Sequence, residues 1–189
     1  KGVDVLVRAF GELTGGVADA RLVVVGSPSL GADPGDSARY TAQLERLATG
    51  HPVTFLPGRA DVVPLLQSAD VAVVPSLWPE PLSRALMEPL ACGIPVVATD
   101  AGGNPEILNG WLADYLVPAG DSAALAARLS SLHGWRRDQP GLGARCRAHA
   151  EQFLGLERET DTVERALQDA VAGSRRRRTT SDSERRSCG

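Results

Sequence analysis

Short β-branched runs recur along this chain at intervals of roughly 20 to 30 residues, and longer helical patterns fill the spaces between them. The runs are RLVVVG at Arg21 to Gly26, PVTFL at Pro52 to Leu56, VAVVP at Val71 to Pro75, PVVAT at Pro95 to Thr99 and, more weakly, DYLV at Asp114 to Val117. Their hydrophobicity is continuous rather than alternating, which is what strands buried on both faces require. Helices are expected at Val3 to Leu13, Ser37 to Ala48, Val62 to Ser68, Leu82 to Ala91 and Asp121 to Leu132, with Asp121 as N-cap of the last. Strands and helices in alternation define an α/β fold, a parallel sheet with helices on both faces.

After Trp135 the pattern becomes helix only, with helices expected at Leu142 to Phe153 and Leu156 to Val171. The expected organisation is an α/β domain over residues 1–135, C-terminal helices over 136–173 and a disordered Arg-rich tail over 174–189. The chain opens on a helix where a parallel sheet ordinarily supplies a strand. We therefore expect the first strand to be missing and the sequence to be cut at its start.

Charge narrows the function classes. The net charge is -3, but the tail SRRRRTTSDSERRSCG carries six arginines against Asp182 and Glu184, which leaves about -7 on the body. An acidic body argues against non-specific nucleic-acid binding, and the tail reads as solvated chain, with RNA or anionic lipid as alternative contacts. No apolar run approaches the roughly 20 residues of a membrane span, and KGVDVLVRAF lacks signal-peptide flanks. The expected location is the cytoplasm, extending to a peripheral position at the inner membrane surface. Cys92, Cys146 and Cys188 are too few and too scattered for a disulfide scaffold or a metal site. Among the cations, nineteen arginines stand against a single lysine, Lys1.

Two carboxylates, Glu80 and Glu88, lie eight positions apart in PEPLSRALMEPLACG. On a helix that spacing is roughly 12 Å along the axis, beyond the roughly 5 to 9.5 Å of glycosidase carboxylate pairs, so a hydrolase dyad is excluded. Glu80 lies between two prolines, in the loop leaving VAVVP, and Glu88 lies on the next helix. The crevice outside the carboxyl ends of parallel strands is where such sheets bind ligands. Two acceptors so placed suit separate hydroxyl groups of one elongated ligand; the alternative is two solvent-facing charges.

Other segments offer less. Gly26 to Gly31 follows a strand but lacks both the GK[ST] of a P-loop and GxGxxG, which argues against an NAD-binding domain. His51, His133 and His149 are isolated, without ligand spacing or a nucleophile, and read as solvated or core residues. Trp78 adjoins Glu80 and could wall a pocket, whereas Trp111 and Trp135 read as packing residues. The Gly102-Gly103 turn permits either a close backbone approach to a ligand or a simple chain reversal.

The run PSLWPEPLSRALMEPLACGIPVVATDAGGNPEIL resembles the E-x7-E segment of retaining glycosyltransferases with two Rossmann-like domains, the GT-B architecture, and glycosyltransferase family 4 in particular. KGVDVLVRAFGEL, RLVVVG, VTFLPGRADVVPLLQSADVAVVPS and DYLVPAGDSAALAARL extend the resemblance over Lys1 to Leu132. It implies that Glu88 binds the ribose of a nucleotide, that Glu80 binds the transferred sugar, and that Lys1 neutralises the donor diphosphate. It further implies that the backbone N–H groups of Leu82, Ser83 and Arg84 face the phosphates and that Gly58, Arg59 and Ala60 lie beside the base. No cofactor is expected beyond the nucleotide-sugar substrate, and no metal, because the sequence has no DxD pair.

Three departures stand out. Ser83 replaces the usual glycine, Pro89 is expected to kink the helix at Glu88, and the upstream acceptor domain with its G-R loop is absent. The function implied is sugar transfer from a nucleotide-sugar to an unknown acceptor, with this chain as the donor-binding half, inactive without its acceptor domain. The alternative is a non-catalytic nucleotide-sugar-binding module or a truncated relic.

Overall fold

The computed structural model describes residues 1–26, 33–81, 83–155 and 160–171. The chain divides into two units, Lys1–His149 and Ala150–Gly189. In the first, the strands are β1 (Leu22–Val25), β2 (Val53–Leu56), β3 (Ala72–Val74), β4 (Val96–Thr99) and β5 (Leu116–Val117). Around them run the helices α1 (Val3–Thr14), α2 (Pro34–Ala48), α3 (Val63–Ser68), α4 (Arg84–Ala91), α5 (Asn104–Ile107), α6 (Ser122–Ser131), α7 (Trp135–Asp138) and α8 (Leu142–Leu154), the last of which belongs to the second unit from Ala150 on. In the second unit residues 160–171 are helical. No helix of the described residues is long and apolar enough to cross a membrane. The expected Gly26 to Gly31 loop beyond Gly26, and the Arg-rich tail, lie outside the described residues.

Every strand pairing is parallel, as the unbroken apolar runs require. The pairings form two sheets, β1-β2 and β3-β4-β5, where the sequence suggested one. Among the described residues β1 and β3 each have one strand neighbour, so each keeps an open edge. Burial follows that division. Val96, Val97 and Ala98 of β4 are wholly buried between β3 and β5, while Val23, Val25 and Phe55 of the two-stranded sheet remain exposed.

The strands start and stop within a residue of their expected bounds except β5, whose first residues form a 3₁₀ turn over Gly110–Tyr115. Helix starts were harder to read. Helix α2 begins three residues early, because the Asp33 carboxylate accepts from Gly35 and Asp36 N–H (2.8 and 3.1 Å) and Pro34 takes the first position, where its missing N–H costs nothing. Asp121 caps α6 as expected, accepting from Ala124 N–H at 2.9 Å. Helix α4 begins at Arg84, not Leu82, with Ser83 as extended N-cap.

Pro89 does not break α4. It stands sixth of eight residues, so its missing N–H removes one hydrogen bond, to the Ala85 carbonyl, close to where the helix ends anyway. Its own carbonyl accepts from Ile94 N–H at 2.9 Å and so ties the helix end to the approach of β4.

Helix α1 packs on α2 and α6 and has Val7, Ala9 and Phe10 buried, and α4 packs on β3 and β4 and has Leu86 and Leu90 buried. Near the C-terminal end of α4, Gly93 meets Gly143 of α8 so closely that a Cβ on Gly143 would stand 2.8 Å from the Gly93 carbonyl oxygen. Trp135 is buried and donates its indole N–H to the Asp70 carbonyl at 2.8 Å. Trp111 meets Tyr115 and His149 edge-on while Arg145 lies over its face, which is the packing role expected of it. Burial pushes the nearby Cys146 thiol up to about 11, so it behaves as an inert apolar residue.

Since Leu86 carries α4 onto the sheet, Leu86→Ala should cost about 2 to 5 kcal/mol in denaturant unfolding. Val163→Ala, at an exposed position, should change stability by less than about 0.5 kcal/mol.

Candidate functional site

At the carboxyl edge of β3 the chain leaves the sheet through Pro75 and Ser76, passes the exposed Leu77 and Trp78, and reaches Glu80 between two prolines. Pro79 and Pro81 disfavour helix at the residues before them, and α4 begins only after Ser83, which is extended.

Lys1 arrives at the same place from the other end of the sequence. Gly2 caps α1 in the left-handed conformation (φ 74°), and a Cβ there would stand 1.9 Å from the Pro75 carbonyl oxygen. Only glycine fits, and the close approach delivers the Lys1 ammonium to Glu80 Oε1 at 2.5 Å. Ser76 Oγ donates to the same oxygen at 3.4 Å, a long hydrogen bond, and Glu80 Oε2 has no partner among the described residues. The lysine side chain is 58% exposed and the glutamate 17%. The lysine end of the pair is open to water, where screening weakens it.

The Gly102-Gly103 turn after β4 lies against the Glu80 loop. Cβ atoms on Gly102 and Gly103 would stand 2.4 Å from Glu80 N and 2.1 Å from the Pro81 carbonyl oxygen, and Gly102 has φ 59°. Gly103 N–H donates to the Glu80 carbonyl at 2.9 Å. The close approach expected of these glycines is thus made to the protein's own backbone, and it locks Glu80 in place.

Glu88 sits on α4 and accepts from Arg84 Nε and Nη2 at 2.9 and 2.7 Å, an i,i+4 pair. No contact joins Glu80 to Glu88 among the described residues; each carboxylate has its own basic partner. Ser83 is buried with φ -96°, an angle open to any residue, which is why serine stands where glycine was expected. Its hydroxyl caps no N–H of α4, and while Leu86 N–H donates to the Ser83 carbonyl at 3.0 Å, the Arg84 and Ala85 N–H groups have no acceptor among the described residues. Gly58, Arg59 and Ala60 occupy an exposed loop after β2, and Leu82 lies outside the described residues.

Sequence reasoning missed Thr99 and Asn104, both 2% exposed, and Ser76. Thr99 Oγ1 donates to the Ser76 carbonyl at 2.7 Å and Asn104 Nδ2 to the Thr99 carbonyl at 2.9 Å. The signal for Thr99 and Ser76 was a small polar residue at or just past the end of an otherwise apolar strand; Asn104, the first residue of α5, carried none. The histidines behave as expected: His149 is buried with Nε2 2.8 Å from the Ile107 carbonyl, and His133 is exposed beside Asp19. No cluster suited to a metal ion occurs among the described residues.

The family model described as glycosyl transferases group 1 matches residues 1–134. A D-inositol 3-phosphate glycosyltransferase of Mycobacterium marinum is 30% identical over 184 residues, covering 94% of this chain and 38% of that protein. The solved structure of Anabaena HepE in complex with UDP superposes with a TM-score of 0.75 at 26% identity, covering 89% of this chain and 45% of that one. Sucrose-phosphate synthase from Thermosynechococcus elongatus gives 0.73 at 26% identity, covering 92% and 43%. The chain spans less than half the length of each of these relatives.

Because Gly102 abuts the Glu80 backbone at a positive φ, Gly102→Ala should destabilise the chain by about 1 to 3 kcal/mol in urea unfolding. Gly141→Ala, where a Cβ meets nothing within 4 Å, should cost less than about 0.5 kcal/mol.

Proposed function

Because the chain belongs to the glycosyl transferases group 1 family, we propose that the carboxyl edge of β3 and β4 binds a nucleotide-sugar and that this chain is the donor-binding half of a retaining glycosyltransferase. The single observation that carries the reading is the meeting of Lys1 and Glu80, residues 79 positions apart, in the loop that precedes α4, a helix with no side-chain cap. A cation, a carboxylate oxygen with no partner among the described residues and the Arg84 and Ala85 N–H groups at the start of α4 are the acceptor and donors that a sugar linked to a diphosphate needs. The neighbouring structures lend support: HepE is described with UDP, with UDP and glucose, and with UDP-glucose.

In this reading the Lys1 ammonium leaves Glu80 for the diphosphate oxygens, where it stabilises the charge that grows as the nucleoside diphosphate departs. The first turn of α4, Arg84 and the residues around it, contributes N–H donors and a favourable dipole to the same oxygens. Glu80, released from Lys1, accepts from a hydroxyl of the transferred sugar and orients its anomeric carbon. Glu88 exchanges Arg84 for the ribose hydroxyls, an exchange that costs little because exposed i,i+4 pairs are worth about 0.3 to 0.5 kcal/mol. Gly58, Arg59 and Ala60 lie beside the base, and Leu82 continues the phosphate-facing segment. No metal takes part, the positive charge coming from Lys1 and the helix.

The acceptor belongs to a separate domain preceding Lys1, and a strand from that direction would pair with the open edges of β1 and β3. Turnover by this chain alone would contradict the need for that domain. A cytoplasmic location, peripheral to the inner membrane surface, completes the proposal.

Titration calorimetry with UDP, GDP, UDP-glucose and GDP-mannose tests it. Glu88→Ala should weaken diphosphate and sugar-linked donor alike by about 1.5 to 3 kcal/mol, while Glu80→Ala should weaken only the sugar-linked donor by a similar amount. Failure of the unsubstituted chain to bind any of the four would remove the donor site.

A further inference from the structure

We infer that Thr99 is a positioning residue for Glu80, acting through Ser76, and that it governs how far the site discriminates a nucleotide-sugar from the bare nucleotide. The inference rests on the reading of Glu80 as the sugar acceptor and adds to it a residue that no ligand can touch, since Thr99 is 2% exposed.

The reason lies in the end of the sheet. Strands β3 and β4 pair in the register Ala72↔Val96, Val73↔Val97 and Val74↔Ala98. Alternate residues of β3 address β4, Ala72 N–H donating to the Pro95 carbonyl, so Pro75 turns its nitrogen to the other edge and Ser76 is the next residue to face β4. There the Thr99 side chain takes over from the ladder, Oγ1 donating to the Ser76 carbonyl at 2.7 Å. This bond fixes the backbone of the residue whose own hydroxyl reaches Glu80 Oε1.

Asn104 braces the arrangement from behind, its Nδ2 donating to the Thr99 carbonyl at 2.9 Å and so closing the turn that contains Gly103. Gly103 N–H in turn holds the Glu80 carbonyl. The Glu80 loop is thereby tied to the end of β4 at two points, one at Ser76 and one at Glu80 itself. Ser76 and Lys1 both address Oε1, which leaves Oε2 for a ligand hydroxyl. Without the Thr99 bond, Ser76 is free to turn, and Oε2 loses its fixed direction while Lys1, Glu88 and α4 keep their places.

Three variants of the whole chain separate positioning from simple packing. Thr99→Val keeps the shape and removes the hydroxyl, Thr99→Ser keeps the hydroxyl, and Ser76→Ala removes only the link to Glu80. The affinities to compare are those for UDP-glucose over UDP and for GDP-mannose over GDP, by titration calorimetry. In Thr99→Val and Ser76→Ala the diphosphate affinity should stay within about twofold, and the sugar-to-diphosphate ratio should fall about tenfold. Thr99→Ser should retain the ratio within about twofold. A ratio unchanged in Thr99→Val, or lost equally in Thr99→Ser, overturns the inference.

A second readout needs no ligand. The carboxylate carbon resonance of Glu80 should move in Thr99→Val and Ser76→Ala and stay in place in Thr99→Ser; an unmoved resonance in Thr99→Val also overturns the inference. If none of the four nucleotides binds the unsubstituted chain, the donor reading fails, and this resonance still decides whether Thr99 positions Glu80.

Discussion

Complete burial of β4 is the constraint on which the site depends. With Val96, Val97 and Ala98 excluded from water and β3 and β5 paired on either side, the strand cannot shift without exposing three apolar side chains or breaking two ladders. Its carboxyl end is therefore a fixed point. The turn that leaves it, Asp100 to Gly103, is pressed against the loop that leaves β3, and two glycines allow the backbones to touch. Precision at Glu80 is inherited from the core through that contact rather than from the ion pair with Lys1.

Electrostatics enter differently. The Lys1 and Glu80 side chains, and likewise Arg84 and Glu88, are paired in positions open enough to water that neither pair adds much to stability. Weak pairing is useful at such a place, since a ligand bringing its own phosphates and hydroxyls can exchange with each partner in turn. The basic groups are then not left alone when a donor binds; they change acceptors. In an acidic body the one lysine is held at this one crevice by the close approach of Gly2 to Pro75, where its charge is balanced by Glu80.

Much of this was legible in the residues. Strand positions could be read from the β-branched apolar runs, although burial on both faces holds for β4 and not for β1 and β2, and Asp121 announced its helix as an N-cap should. The meeting of Lys1 with Glu80 was implied only by resemblance, since nothing local in the sequence connects residues so far apart. Pro89 suggested a kink that the structure does not show as a break, because a lost N–H matters little in the last turns of a short helix. The division into two sheets was invisible, being a matter of which edges find partners. Thr99 and Asn104 were passed over because a hydroxyl at a strand end, or an amide at the start of a short helix, looks like ordinary turn chemistry until its acceptor is known.

The central claim is that the crevice at the carboxyl edge of β3 and β4 binds a nucleotide-sugar. Hydrogen exchange of the chain with and without UDP-glucose or GDP-mannose tests it most directly, because backbone protection locates the ligand without presuming which side chains hold it. The account predicts protection concentrated in residues 76–91 and 99–104 with at least one of the two donors. Protection by neither, or protection confined to β1 and β2, would contradict it.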